Sequence, residues 1–83
     1  MIYIGTEEIT SRYTEAINID SKCIDITIVN KGTATAYVNN YPLLTNELKT
    51  VSCNQGEILL SKYSITFDTV GTQEVYIFRR IYR

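Results

Sequence analysis

The segment CIDITIV, from Cys23 to Val29, shows most clearly how this chain folds. Its three isoleucines alternate with Asp25 and Thr27, and a period of two is typical of a β-strand with one buried face. The segment TATAYV, residues 33–38, alternates in the same way. Between the two lies NKG, in which Gly32 takes left-handed backbone angles easily. The pattern therefore predicts a hairpin with a three-residue loop.

More strands and turns are predicted towards the C-terminus. Asn39 and Asn40 favour a two-residue turn, because asparagine tolerates positive φ. Pro42 has no N–H for a sheet ladder, so the strand that contains it is expected to be short or at an edge. The remaining strand candidates are LKTVSC (48–53), YSITF (63–67) and residues 73–82, separated by turn signals at 54–56 and around Gly71.

Turn signals recur about every 8–12 residues, a spacing typical of all-β sandwiches and barrels. We therefore predict one domain over residues 1–83, a small antiparallel β-sandwich or partly closed barrel of about six to eight short strands. The abundance of β-branched and aromatic residues agrees with this. The predicted core consists of apolar residues at alternating positions: Ile24, Ile26, Ile28, Ala36, Val38, Ile65, Phe67, Val75 and Ile77.

Residues 1–20 have a less regular pattern. IYI at positions 2–4 is typical of a short strand. Over residues 7–17 the apolar positions fit a helical stripe, although Thr10 and Thr14 oppose it and no good cap precedes it. The stripe consists of Ile9, Tyr13, Ala16 and Ile17. A helix here is the less favoured of the two interpretations.

The chain lacks the residues that common catalytic and metal sites require. It contains no histidine, which removes the usual general base and the commonest metal ligand. Two cysteines thirty residues apart do not complete a tetrahedral zinc site. The four glycines are isolated, so there is no phosphate-binding loop. We predict no catalytic residues, no metal and no cofactor, and hence a non-enzymatic protein.

Charge and hydropathy limit the partners. The net charge of −1 argues against a general affinity for nucleic acids or anionic membranes. No stretch approaches the ~20 apolar residues of a membrane span, and the N-terminus lacks the basic region of a secretory signal. We therefore expect a protein made in a cytoplasm, with Cys23 and Cys53 as free thiols. Self-association is then the remaining route to extra stability for so small a domain.

The C-terminal segment VYIFRRIYR, residues 75–83, carries the candidate interaction residues. Alternation predicts one aliphatic face and an opposite face formed by Tyr76, Phe78, Arg80 and Tyr82. A strand that is apolar on both faces is usually central in its sheet or covered on both sides. Because tyrosine and arginine are enriched where proteins dock, we predict a protein interface at these four residues and at Tyr37. Two alternatives remain: a strip that stacks on nucleic-acid bases, and a barrel interior that encloses both faces.

The succession IDITIVNKGTATAYVNNYPLL, SCNQGEI, YSITF and VYIFRRIY resembles small virion proteins of tailed bacteriophages. It covers residues 24–82 and rests on the order of strands and turns. The resemblance implies an auxiliary capsid (decoration) protein, made in the cytoplasm of a bacterial host and located in the virion. It implies the major capsid protein or another virion protein as partner, and no catalytic residues. Two other functions stay open: a small OB-like single-stranded nucleic-acid binder, and a secreted adhesive domain with a Cys23–Cys53 bridge.

Overall fold

Eight β-strands follow one another in the computed structural model, which describes residues 5–54 and 56–82. No helix forms within those residues. The predicted strand at residues 2–4 lies outside them. The strands are β1 (Thr6–Tyr13), β2 (Ile17–Asp20), β3 (Asp25–Asn30), β4 (Ala36–Val38), β5 (Tyr41–Leu43), β6 (Leu48–Ser52), β7 (Lys62–Phe67) and β8 (Val75–Tyr82).

The strands form two antiparallel sheets of four, which are not closed into a barrel. Sheet 1 has the order β1-β8-β3-β6, and sheet 2 has the order β2-β7-β4-β5. Strands from opposite ends of the chain pair with one another: β1 with β8, β2 with β7, β3 with β6 and β4 with β5. This is the strand order of an eight-stranded jelly roll. The prediction of an all-β sandwich is confirmed.

The β4–β5 hairpin lies at the middle of the chain. The predicted turn at Asn39 and Asn40 and the predicted short edge strand with Pro42 are both confirmed. Asn39 and Asn40 have φ values of 50° and 68°, as a two-residue turn of the hairpin type requires. Val38 pairs with Tyr41 directly across the turn. Pro42 lies in a strand of three residues at the edge of sheet 2, where its missing N–H breaks no central ladder.

The hairpin predicted around Gly32 is wrong, because β3 and β4 belong to different sheets. Gly32 does not adopt positive φ. Instead, the connection after β3 runs close to the connection before β8, and the N–H groups of Lys31 and Gly32 both donate to the carbonyl of Glu74, at 3.0 and 3.1 Å. A Cβ at Gly32 would collide with the carbonyl oxygen of Thr72. The glycine is needed for close approach, not for a turn.

The helix considered for residues 7–17 is also absent. Residues 6–13 form β1 and pair with β8 along their full length, and β2 begins at Ile17. Ile9, Ser11 and Tyr13 face the interior and are half-buried, while their neighbours are exposed. Eight residues of continuous pairing with a central strand outweigh a weak local helical pattern.

The core lies between the two inner faces. Eight of the nine predicted core residues are buried, and the ninth, Phe67, is half-buried and packs against the core from its rim. Asn30 is fully buried, which alternation alone does not predict. Its side-chain amide donates to the carbonyls of Ala34 and Leu43, both at 2.8 Å, and its Oδ1 accepts from the N–H of Gly32 at 3.0 Å. Asn30 thus joins sheet 1 to β5 of sheet 2.

Candidate functional site

The predicted interaction strand, β8, is central in sheet 1, between β1 and β3. Its inward residues Val75 and Ile77 are 0% and 2% exposed. Its alternate residues point to the outer side of the sheet, where Phe78 is 36% exposed. The prediction of a central strand is confirmed. The alternative that both faces lie inside a barrel is wrong, because the sandwich has an open outer face.

Strand register arranges this outer side in rows, which together we call the aromatic face. Phe78 lies between Thr10 on β1 and Thr27 on β3. In the next row Tyr76 lies between Arg12 and Val29. The third row places Arg80 between Glu8 and Asp25, and Tyr82 lies opposite Thr6 beyond it. Four of the five predicted interface residues are therefore brought together: Tyr76, Phe78, Arg80 and Tyr82.

The apolar part of the aromatic face extends further than the sequence indicates. Val29 pairs with Tyr76 on one side and with Leu48 of β6 on the other. Leu48 is 57% exposed. Tyr76, Val29 and Leu48 thus form a row beside Phe78. Val29 and Leu48 were missed, because alternation within a strand does not show which strands become neighbours.

The cations on the aromatic face are paired within the chain. Arg80 Nη2 lies 2.6 Å from Asp25 Oδ2. Arg12 donates from Nε and Nη2 to Glu74 Oε2 at 2.8 and 2.5 Å, and this contact raises the pKa of the Arg12 guanidinium. Glu8 lies across from Arg80 in the β1–β8 register. Charge at this surface is therefore mixed, with no free basic strip.

Arg79 has a different role, because it faces inwards. Its Nη1 donates to the backbone carbonyls of Asp20 and Ser21, at 3.4 and 3.3 Å. The guanidinium thus contacts the end of β2 in the opposite sheet. Arg83, the third arginine of the segment, lies outside the described residues.

Tyr82 has a structural contact at the end of the aromatic face. Its hydroxyl oxygen accepts a hydrogen bond of 2.8 Å from the N–H of Gly56. That bond holds the connection between β6 and β7 against β8. The residues that remain available to a partner are Tyr76, Phe78 and Leu48, whereas Val29 between Tyr76 and Leu48 is buried.

Tyr37, the fifth predicted interface residue, lies on the other sheet. It belongs to β4 in sheet 2, with its neighbours Ala36 and Val38 buried in the core. Its hydroxyl donates to Asp68 Oδ1 at 3.0 Å, which raises the pKa of the tyrosine. The five predicted residues therefore do not form one surface, and Tyr37 is separated from the other four by the sandwich.

The aromatic face offers little space to a small ligand. A depression of about 220 Å³ lies beside Phe78 and Arg80, below the roughly 300–1,000 Å³ of small-molecule sites. A wider depression of about 580 Å³ lies elsewhere, along β2 and β7 beside Asn18 and Thr66. No group of three acidic or cysteine side chains is placed to hold a metal ion in residues 5–54 and 56–82. Over the same residues, no helix is long and apolar enough to cross a membrane.

The surroundings of the two thiols favour a structural role for both cysteines. Cys23 is buried, and burial raises the pKa of its thiol, which disfavours the reactive thiolate. Cys53 is half-buried, and its sulfur lies 3.1 Å from the carbonyl oxygen of Ile24 and 3.2 Å from that of Glu57. Both cysteines are free in the structure.

Comparison with known proteins identifies no family. No family model, no curated protein and no solved structure matches the chain. A jelly roll hosts many unrelated functions. The function must therefore be argued from the aromatic face itself.

Proposed function

We propose that this protein is a non-enzymatic structural module of a virus particle, an auxiliary capsid (decoration) protein that docks on a phage head and stabilises it. The aromatic face is the docking surface, and its partner is the major capsid protein or another virion protein. One observation carries the proposal: Phe78 and Leu48, 36% and 57% exposed, lie with Tyr76 and Val29 on one side of a sandwich.

The chemistry of this surface favours a protein partner. Contiguous apolar and aromatic groups rimmed by charges are typical of protein-docking surfaces. A central aromatic residue that becomes buried on docking contributes about 2 kcal/mol or more to binding. The rim pair of Arg80 and Asp25 would add specificity more than affinity. A rigid sheet also loses little entropy on docking, because its backbone is already ordered.

Nucleic acid fits the same surface less well. Single-strand binders combine stacking aromatics with a positively charged groove. Here both outward arginines of the face are paired with Asp25 and Glu74, and Glu8 adds a further negative charge. The OB-like barrel of the alternative proposal is wrong, because the strands form an open jelly roll of two sheets.

The fold supports a structural role as an analogy. Jelly rolls are used in viral capsid domains, and also in lectins and cupins. Cupins and lectins rely on a site in the fold for a metal or a sugar, and the described residues hold no metal cluster. The capsid-type role needs only shape and surface, and the aromatic face supplies these.

The test is co-sedimentation with phage particles. Tagged protein would be produced during phage growth in the bacterial host that carries the gene, and heads and tails would be separated on a density gradient. We expect the protein in the head fraction, in constant proportion to the major capsid protein. Absence from every particle fraction would refute the proposal. Recovery with tails alone would refute the head assignment.

Matched variants then locate the docking surface. F78S removes the exposed centre of the aromatic face and should lower occupancy on heads at least about tenfold. V70S removes an apolar side chain that is 82% exposed in the connection before β8 and should leave occupancy unchanged. Equal occupancy of both variants would exclude the aromatic face. If the unmodified protein binds single-stranded DNA with an affinity that falls steeply as salt is added, the nucleic-acid alternative is supported instead.

A further inference from the structure

The four sheet edges of the sandwich are unequal. β5 has three residues and contains Pro42, and β2 has four residues. β6 has five residues with Lys49 on its inner side, and the Lys49 ammonium lies 5.3 Å from the ring centre of Tyr41 on the opposing edge. Short length, proline and inward lysine all discourage pairing with another chain. Three of the four edges are thus protected.

The fourth edge, β1, is neither short nor interrupted by proline, although its charged residues include Glu7, which lies on the same inner side as Ile9. It has eight residues, TEEITSRY, with no proline, glycine or lysine. Its pairing with β8 runs without a bulge from Thr6 to Tyr13. In the described part of the chain, β8 is its only neighbour in sheet 1. A long, regular edge of this kind is a template for another strand.

We propose that two copies of this protein associate through β1, antiparallel about a two-fold axis at Thr10, so that both copies of sheet 1 form one eight-stranded sheet. A two-fold axis normal to the sheet keeps each outer face on the outer side. Only residues of the same face then lie opposite one another, because side chains alternate along a strand. This condition limits the choice of register between the two copies.

Two registers of this kind pair the most residues, with the axis at Ile9 or at Thr10. The axis at Thr10 places Glu8 of each copy opposite Arg12 of the other. The axis at Ile9 places Glu8 and Arg12 opposite threonines. Glu7, the third charged residue of β1, lies opposite Ser11 with the axis at Ile9 and opposite Tyr13 with the axis at Thr10, so it meets no charge of the other copy in either register. An axis at Glu8 would place the two Glu8 residues opposite one another, and like charges directly opposite destabilise a sheet. An axis at Ser11 would pair fewer residues of β1. Charge complementarity selects the axis at Thr10.

Arg12 can take part in this contact without leaving its present partner. Its Nε and Nη2 donate to Glu74, and a guanidinium carries five N–H donors. Exposed ion pairs contribute little affinity, so their role is to set the register. Affinity comes from the ladder of backbone hydrogen bonds and from covering the half-buried inner residues Ile9 and Tyr13.

The open side of the sandwich next to β1 also fits a second copy. A cleft of about 210 Å³ lies between the β1 and β2 edges, lined by Ser11, Tyr13, Ile19 and Ile77 among others. In the proposed dimer, the cleft side of one copy faces the cleft side of the other across the two-fold axis. The two aromatic faces become continuous, and their Phe78 residues lie three strand spacings apart, about 14 Å. The dimer would present two docking surfaces on one sheet.

The first experiment measures oligomeric state with purified protein, so it does not depend on the proposed function. Sedimentation equilibrium should show a monomer–dimer equilibrium. E8R and R12E each place like charges across the axis and should raise the dissociation constant at least about tenfold. The charge-swapped E8R/R12E protein should recover most of the affinity. Thermal melting of each variant shows whether the domain remains folded.

The second experiment fixes the axis by cross-linking. T10C places one thiol of each copy directly opposite the other, where Cβ atoms are about 4.5–5.5 Å apart. Mild oxidation should therefore give a covalent dimer. T6C is the matched control, on the same strand and the same outer face. Its thiols would lie about 27 Å apart, eight residue steps along the antiparallel pair, so it should stay monomeric on a non-reducing gel.

The outcomes separate the proposal from other occupants of the edge. A monomer at every accessible concentration would overturn it. A dimer that is unaffected by E8R, or that cross-links through T6C as readily as through T10C, would also overturn it and would indicate a different surface. Loss of dimer in E8R and R12E, recovery in the swap and selective T10C cross-linking together support it.

Discussion

The outer faces of the two sheets differ, although the inner faces of both contribute to one apolar core. On sheet 2 the outward positions of β2 and β7 are polar and exposed, as at Asn18, Ser64 and Thr66. On sheet 1 the corresponding positions include Phe78 and Leu48. Folding requires the inner faces alone. The asymmetry of the outer faces therefore supports the proposal that sheet 1 meets a partner, while sheet 2 faces water.

Two adjacent residues of β8 test this comparison with the largest expected effect. Ile77 is 2% exposed and Phe78 is 36% exposed. I77A should lower the free energy of unfolding by about 2–5 kcal/mol and the Tm by roughly 10 °C or more. F78S should cost about 1 kcal/mol or less, because the lost contacts are cross-strand pairs on an outer face.

Urea unfolding of both variants, followed by far-UV circular dichroism, measures these costs. Equal destabilisation by I77A and F78S would mean that the aromatic face belongs to the folded core of the isolated domain. Any loss of docking by F78S would then follow from unfolding. If only I77A destabilises the domain strongly, the aromatic face contributes little to folding, and a docking defect of F78S reports on binding itself.

Asn30 is a fully buried polar residue on the inner face of sheet 1. It is 0% exposed, and its side chain bonds to Ala34, Leu43 and Gly32. N30A would remove the buried donor to the Ala34 and Leu43 carbonyls, whereas the N–H of Gly32 would keep its bond to Glu74, so we expect a loss of about 2–3 kcal/mol. N18A is the matched control, since Asn18 is exposed on β2 and has no positive φ. Similar melting temperatures for the two variants would contradict this role of Asn30.

The sequence predicts the fold class and the core well, because side-chain alternation reports burial directly. The sequence leaves residues 7–17 undecided between helix and strand for a physical reason. Ile9, Tyr13 and Ile17 are spaced by four, and residues four apart share a face in a strand as well as in a helix. Only Ala16 distinguishes the helix, and it is exposed in the connection between β1 and β2. The hairpin predicted at Gly32 is wrong for a related reason, since a glycine can mark a close approach of two backbone segments as well as a turn.

The candidate site could be predicted only within one strand. Alternation along β8 places Tyr76, Phe78, Arg80 and Tyr82 together. Leu48 joins them because β3 lies between β8 and β6, and Tyr37 does not, because β4 lies in the other sheet. Both facts depend on pairing between strands that are distant along the chain. Pairing of this kind has no local signal in a single sequence.

The charge pair on the aromatic face gives a smaller effect. Arg80 and Asp25 side chains are 51% and 29% exposed, so a double-mutant cycle of R80A and D25A should give a coupling of less than about 1 kcal/mol. Added salt should reduce that coupling further. The cycle is measured by urea unfolding at low and high salt. A coupling that is large and insensitive to salt would mean that the pair is shielded from water.

The smallest effect concerns the single aromatic residue on the outer face of sheet 2. The hydroxyl of Tyr37 donates to Asp68, which stabilises the neutral phenol and raises the pKa of Tyr37 above its ordinary value. In the unfolded chain the pKa of tyrosine is about 10. The bond therefore stabilises the fold fully below pH ~10, and this contribution is lost as the pH rises through the raised value. D68A should lower the titration midpoint of the Tyr37 ring carbon followed by NMR, whereas S64A on the same face should not. An unchanged midpoint in D68A would mean that Tyr37 is free on its face, and sheet 2 would then present an available aromatic residue as well.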